Sequence, residues 1–96
     1  MTSKQRAYLR SLANKLEPIV HAGKGGVSDA MIKQADDALT AREIIKGKAL
    51  ETAPASAREI AEQIAAAVNA EVVHVIGRTF VLFRQNEKES QIKLPR

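Results

Sequence analysis

Three glycines between an apolar run and a helix start constrain the fold of this chain more than any other feature. Gly23, Gly25 and Gly26 follow the mainly apolar residues 18–22 and precede Ser28, which can cap a helix with apolar side chains at helical spacing. Glycine permits a backbone turn at positive φ and close approach to a partner. The pattern therefore predicts a strand over residues 18–22 that turns directly into a helix over residues 28–40.

The same stretch, the glycine loop (residues 23–26), also predicts an anion site. A helix that begins at Ser28 directs free N–H groups and a partial positive charge towards the loop, and Lys24 adds a full charge. His21 adds another charge when it is protonated. These features suit a phosphate group. The alternative is that the glycines only turn the strand into the helix.

Two further segments place basic side chains on regular elements. Residues 2–16 predict a helix that starts with capping-box spacing between Thr2 and Gln5, and Arg6 and Arg10 share one flank of it. Alternation over residues 42–49 predicts a strand, one face of which carries Arg42, Ile44, Lys46 and Lys48. If helices cover only the other face of the sheet, this basic face is open to a partner. The alternative for both segments is an ordinary solvated surface.

The remaining segments complete the expected order α-β-α-β-α-β-β. A capping box from Ser56 to Glu59 starts the third helix, and Gly77-Arg78 predicts a hairpin between strands at 71–76 and 79–84. Two crossovers predict parallel strand pairs, and the hairpin adds an antiparallel strand. We expect an α/β two-layer sandwich, with helices on one side of a four-stranded mixed sheet. Residues 1–96 form one domain, with a mobile tail at 85–96 from which Ile92 and Leu94 can dock.

Composition excludes several classes of function. The chain has 96 residues, no cysteine and a net charge of +4, so disulfides and thiolate metal sites are absent and an anionic partner is favoured. No segment is long and apolar enough to span a membrane, which predicts a cytoplasmic protein. The glycine loop lacks the Gly-x-x-x-x-Gly-Lys-Ser/Thr spacing of a nucleotide-hydrolysing loop. It also lacks the Gly-x-Gly-x-x-Gly spacing of a dinucleotide-binding site. No serine has an identifiable base partner, and His74 fits a structural role in a strand. We therefore expect a protein that is not an enzyme and that needs no cofactor or small-molecule substrate.

Four segments together resemble a known family. They are the Gly-x-x-Gly loop at 23–26, the strand at 42–48, the hairpin at 75–84 and the tail at 92–95. In this order they resemble the CRM domain, the chloroplast RNA splicing and ribosome maturation domain, in its stand-alone bacterial form. The chain departs from the family pattern at Gly25, an extra glycine, and at Gly47, where a β-branched residue is usual. We expect the first to loosen the loop and the second to weaken the centre of the strand.

The resemblance implies a fold similar to the C-terminal domain of translation initiation factor three. It also implies RNA binding, because single-domain bacterial members are linked to precursor large ribosomal subunits. We therefore expect a protein that binds precursor ribosomal RNA and assists large-subunit assembly. The resemblance assigns the contact to Gly23, Lys24, Gly25 and Gly26, and the charge pattern adds Arg6, Arg10, Lys46 and Lys48. The alternative is a protein-interaction module of the same fold that acts on a ribosomal protein.

Overall fold

The computed structural model describes residues 1–88 and 90–95, and its seven elements follow the expected order. They are α1 (Ser3–Ala13), β1 (Val20–Ala22), α2 (Asp29–Arg42), β2 (Ile44–Ala49), α3 (Ala57–Val68), β3 (Glu71–Ile76) and β4 (Thr79–Phe83). The α/β class and the four-stranded mixed sheet are confirmed. Within the described ranges, no helix has both the length and the apolar composition to cross a membrane.

The caps that start the helices are those that the sequence predicts. Thr2 and Gln5 form a reciprocal capping box, with the Gln5 N–H donating to the Thr2 hydroxyl at 3.1 Å. Ser28 accepts from the Met31 N–H, and Ser56 accepts from the Glu59 N–H. The Glu59 carboxylate accepts from the Ser56 hydroxyl and not from its main-chain N–H, so only half of the predicted capping box forms. These caps satisfy N–H groups that have no partner inside the helix. Two helix ends differ from the prediction: α1 stops at Ala13, and α2 continues to Arg42.

The strands are arranged in the order β1-β2-β4-β3, which corrects one part of the predicted topology. β1 and β2 form the expected parallel pair, with Val20 opposite Gly47. The second crossover does not give a parallel pair, because β4 folds back from the hairpin and lies between β2 and β3, antiparallel to both. The hairpin at Gly77-Arg78 is confirmed, and Gly77 adopts the positive φ of 57° that its turn requires.

Helices cover both faces of the sheet, so the expectation that they lie on one side is wrong for α1. α2 and α3 pack on one face and enclose the main core around Leu39, Ile64 and Phe80. α1 packs on the other face, where Leu9 and Ala13 form a second cluster with Ile44, Val73, Val81 and Phe83. α1 leaves part of this face uncovered, since His21, Lys48 and Ile76, which lie on it, are exposed.

Gly47 makes room for an aromatic ring from the neighbouring strand. It lies opposite Phe80 in the β2–β4 ladder, and a Cβ atom placed on it would overlap the Phe80 ring. Phe80 is completely buried. The glycine was expected to weaken the strand. The ring that covers it supplies the packing that a side chain at this position would otherwise provide.

A buried carboxylate joins the end of α2 to the tail. Glu43 ends the helix at a positive φ of 66° and is 0% exposed, so the prediction that residues 42 and 43 belong to a strand is wrong. Its carboxylate accepts hydrogen bonds from the backbone N–H groups of Asn86, Gln91 and Ile92. Burial by itself raises the pKa of Glu43. The three amides and the Ser90 hydroxyl outweigh that effect and hold the pKa below its ordinary value.

The described part of the tail packs against α1. Ile92 and Leu94 join the second cluster, which confirms the docking that the sequence predicts. The Gln5 side chain also donates to the Pro95 carbonyl at 3.1 Å. The expected mobility of residues 85–96 stays a prediction, and Glu89 and Arg96 lie outside the described residues.

Arg84 makes a second connection between elements, which the sequence did not reveal. Its guanidinium donates to the Asp36 carboxylate at 2.6 Å, to the Val68 carbonyl at 2.8 Å and to the Thr40 hydroxyl at 2.8 Å. It therefore ties the residue after β4 to both α2 and α3. Asp36 is half-exposed and has this arginine as its partner.

Candidate nucleic-acid interface

Three connections meet at one end of the sheet. β1, β2 and β3 run in the same direction and β4 runs in the opposite one, so the carboxyl ends of the first three lie beside the start of β4. The glycine loop, the β2–α3 connection (residues 50–56) and the turn at Gly77-Arg78 are therefore neighbours. Lys24, Lys48 and Arg78 bring three basic side chains to this end.

The glycine loop is a closed turn with an exposed tip. The Gly26 N–H donates to the Gly23 carbonyl at 2.9 Å, and Gly26 has a φ of 67°. A Cβ atom on Gly26 would lie 3.2 Å from Pro54, so both conformation and space favour glycine there. Apart from its chain neighbours, no atom of the described residues lies within 4 Å of a Cβ placed on Gly25, and Lys24 is exposed. The tip is thus free to approach a partner.

The start of α2 contributes less positive charge than the sequence suggests. The Ser28 hydroxyl already accepts from the Met31 N–H at 3.1 Å, which occupies one of the free donors of the helix. Asp29 adds a carboxylate in the first turn. A carboxylate at this place offsets part of the helix dipole. The main charge at the loop is therefore that of Lys24.

The uncovered part of the face on which α1 packs carries basic, polar and apolar side chains together. Paired residues of neighbouring strands share a face, and Lys48 is paired with both His21 and Thr79, while Thr79 is paired with Ile76. In the next row, Val81 is paired with both Lys46 and His74. We call this surface the open sheet face and define it by His21, Lys46, Lys48, His74, Ile76 and Thr79.

The structure separates the two arginines that share a flank of α1. The Arg6 guanidinium is half-buried and donates to the carbonyls of Val72 and Val73 at 2.9 and 3.1 Å. These carbonyls lie at an irregularity in the edge strand β3. Arg10, one turn later, is exposed and lies beside Lys46 at the rim of the open sheet face. Arg6 therefore fastens α1 to β3, while Arg10 is available to a partner.

Charge is divided unequally between the two faces of the molecule. α1 contains Lys4, Arg6 and Arg10 and no acidic residue, whereas the acidic side chains of the other two helices are Asp29, Asp36, Asp37, Glu59 and Glu62. Within the described part of the chain, none of the salt bridges involves Arg10, Lys24, Lys46 or Lys48. Their charges are available to an anionic partner.

Sequence reasoning missed one basic contributor to this end of the molecule, Arg78, and did not place a second, His21, on the sheet face. Arg78 projects from the hairpin turn and pairs at 3.4 Å with the exposed Glu51. His21 lies beside Lys48 on the open sheet face and was considered only as a neighbour of the loop. The position of these two residues depends on which strands pair and in what register. The sequence shows only the alternation of side chains along each strand.

Known proteins resemble this chain over almost its entire length. A Bacillus subtilis protein named "Probable RNA-binding protein YqeI" is 42% identical over 95 residues, which cover 99% of each chain. A Haemophilus influenzae protein named "RNA-binding protein" is 32% identical and covers 100% of this chain and 96% of its own. The solution structure of a hypothetical Staphylococcus aureus protein, described as a candidate RNA-binding protein, superimposes with a TM-score of 0.81 at 43% identity and 99% coverage of both chains.

The family assignment agrees with the fold and with these relatives. The family model described as the CRS1/YhbY (CRM) domain matches residues 1–84, which include every helix and strand of the structure. The match ends before residues 85–96, the tail segment that contains the amides bound to the Glu43 carboxylate. The chain belongs to the CRM domain family.

Proposed function

We propose that this protein binds the RNA of the precursor large ribosomal subunit and assists its assembly without catalysing a reaction. The observation that carries the proposal is the set of basic side chains at the glycine loop and the open sheet face that have no carboxylate partner in the described part of the chain. RNA is the polyanion that this surface suits, and relatives at 42% and 32% identity carry RNA-binding names. Assembly of the ribosome would place the protein in the cytoplasm.

The proposed mechanism is capture of the RNA backbone. Amides of the glycine loop and the ammonium group of Lys24 hold one phosphate, while Arg10, Lys46 and Lys48 hold others along the open sheet face. Such contacts fix the position of the RNA without reading its sequence. Arg6 acts as a positioning residue, since its bonds to β3 keep α1, and with it Arg10, against the sheet.

One observation favours the alternative, a module that binds a ribosomal protein. Ile76 is 66% exposed on the open sheet face, more than any other large apolar side chain among the described residues. A protein partner would cover it. The basic surroundings of Ile76 favour RNA, and binding to protein-free ribosomal RNA separates the two proposals.

The experiment has two arms. In cells, crosslinking followed by sequencing of the attached RNA should recover precursor large-subunit sequences above those of the small subunit and messenger RNA. In vitro, the purified protein should bind protein-free large-subunit RNA. Lys48→Gln should weaken this binding more than the control Arg58→Gln, which removes an exposed charge from α3. Crosslinks spread evenly over all cellular RNA would contradict the ribosomal role. An absence of binding to free RNA would contradict the RNA proposal itself.

A further inference from the structure

A cleft lies between the C-terminal half of α1 and the open sheet face. Its volume is about 290 Å³, and it is lined by Arg10, Asn14, Lys46, His74, Ile76, Thr79 and Val81. Val81 is only 4% exposed and forms part of the floor, while Ile76 stands exposed at one wall. The volume is at the lower end of the range for small-molecule sites, about 300–1,000 Å³. The cleft therefore suits one small planar group and not an extended ligand.

The chemistry of the lining is that of an amphipathic anion site. Arg10 and Lys46 supply positive charge, and Asn14 and Thr79 supply side chains that can both donate and accept hydrogen bonds. Among the residues that the structure describes, no carboxylate lines the cleft, whereas Glu87 and Glu71 each line another cleft of the molecule. A ligand that matches this lining has an apolar face, polar edges and a negative group beside it.

A second cleft continues the first along α1. It has a volume of about 240 Å³ and is lined by Ser3, Arg6, Arg10, Val73 and His74, with no carboxylate among these described residues. Arg10 and His74 belong to both clefts. The two together form a channel along the edge of the helix, which suits a chain with repeated negative groups better than a single free anion.

We propose that the first cleft holds one unpaired nucleotide of the bound RNA. Its base lies against Ile76 and Val81, its polar edge meets Asn14 and Thr79, and its phosphate lies between Arg10 and Lys46. A base within a duplex cannot enter, because both of its faces are stacked and its pairing edge is occupied. This inference rests on the proposed function and adds to it a preference for single-stranded or bulged RNA.

The test compares a single-stranded oligonucleotide with a duplex of the same sequence at one salt concentration. Ile76→Thr removes apolar surface from the cleft, and Thr79→Val removes a hydroxyl while keeping the branched shape. We expect each to weaken single-strand binding about fivefold, the order expected for a partly buried apolar side chain or one lost hydrogen bond. Duplex binding should change less than twofold. Ala67→Ser, an exposed position on α3, is the control and should change neither.

A crosslink locates the base directly and does not depend on the variants. An oligonucleotide that carries one 4-thiouridine should attach on irradiation to the peptide that contains β3 and β4. Equal losses for single strand and duplex, or a crosslink confined to the glycine loop, would overturn the cleft and leave the proposed function intact. Failure of the unaltered protein to bind either RNA would overturn both. Loss of ribosomal-protein binding in Ile76→Thr, with RNA binding unchanged, would assign the cleft to a protein.

Discussion

Glu43 connects the C-terminal end of α2 to the tail through its main chain and its side chain. Its main-chain N–H continues the α2 ladder to Leu39 at 2.8 Å, and its carbonyl accepts from Arg84 at 2.8 Å. Its carboxylate binds amides of the tail. Removing the side chain would leave the main-chain bonds in place but would take the acceptor away from the part-buried amides of Asn86, Gln91 and Ile92. This carboxylate therefore adds charge-assisted bonds to the apolar packing of Ile92 and Leu94 in attaching the tail to the domain.

Replacing Glu43 with Gln should destabilise the protein by about 2–3 kcal/mol, the range for losing charge-assisted hydrogen bonds in a buried site. The amide NH₂ that replaces one oxygen cannot accept from the tail amides. Chemical denaturation at neutral pH measures the difference. The control is Glu62→Gln, which removes an exposed carboxylate and should change stability by less than about 0.5 kcal/mol. Equal stabilities for the two variants would show that the carboxylate does not hold the tail.

The same residue predicts a pH dependence with a definite sign. The folded state lowers the pKa of Glu43, so its contribution to stability is complete above the pKa of an unfolded glutamate, about 4.3. The contribution is lost as the pH falls through the lower folded value. The difference in stability between the parent and Glu43→Gln should therefore be constant from pH 8 to pH 5 and shrink in more acidic solution. A difference that grew on acidification would have the wrong sign for this account.

Arg6 and Arg10 form a matched pair for separating structure from binding. Arg6→Gln should cost about 1–2 kcal/mol of stability, because it removes the donors to the Val72 and Val73 carbonyls. Arg10→Gln should leave stability almost unchanged and weaken RNA binding about threefold to tenfold, as for one lost charged contact. Thermal unfolding and RNA titration measure the two effects. The reverse pattern would show that Arg6 contacts the RNA.

At the scale of elements, the pairing of β2 with β4 depends on Gly47. Its partner Phe80 occupies the space above the glycine, so a methyl group on residue 47 would overlap the Phe80 ring unless the ring moved. Gly47→Ala should destabilise the protein by about 2–3 kcal/mol through overpacking. Gly25→Ala, where the same methyl group meets open space, is the control and should be neutral. The double variant Gly47→Ala with Phe80→Leu should recover part of the loss, and no recovery would argue against the ring as the cause.

Local signals predicted the elements well because the residues that make them are near one another in sequence. The capping residues Thr2, Ser28 and Ser56 and the hairpin at Gly77 all act within a few positions. The order of the strands could not be predicted, since the position of β4 between β2 and β3 depends on contacts across the sheet. The end of α2 was missed because Glu43 adopts its positive φ to reach partners in the tail, more than 40 positions away.

The same distinction applies to the candidate site. Sequence spacing alone put Lys46 and Lys48 on one face and Lys24 at the loop tip, and the structure places them so. Spacing alone also placed Arg6 and Arg10 together on one flank of α1. It could not show that the Arg6 guanidinium donates to a carbonyl of β3, because that carbonyl lies about 66 positions away in the chain. The cleft could not be predicted at all, since its lining comes from α1, β2, β3 and β4.

At the scale of the whole molecule, the separation of charge predicts electrostatic binding. Each neutralised phosphate contributes about 0.7 to 0.9 to the slope of log affinity against log salt. With about five contacts, the slope should be roughly 3.5 to 4.5 in magnitude. Lys48→Gln should reduce it by about one contact, and Arg58→Gln, on the opposite side of the sheet, should leave it unchanged. An affinity that did not respond to salt would rule out backbone capture.

The central claim is that the glycine loop contacts the RNA, and one double variant tests it most directly. Lys24→Asp with Gly25→Asp puts two negative charges where the phosphate is placed and leaves the turn from Gly23 to Gly26 intact. Because Lys24 is exposed and Gly25 has open space around it, stability should fall by no more than about 1 kcal/mol. Ser56→Ala, which removes a helix cap, is the control that lowers stability by about 1 kcal/mol without touching the loop.

The measurement is a titration of each folded variant onto protein-free large-subunit RNA at fixed salt, paired with thermal unfolding. The account predicts that the double variant remains folded and loses at least tenfold in affinity, since attractive contacts become repulsive. It predicts that Ser56→Ala binds like the parent. A folded double variant with the affinity of the parent would show that the glycines only turn β1 into α2.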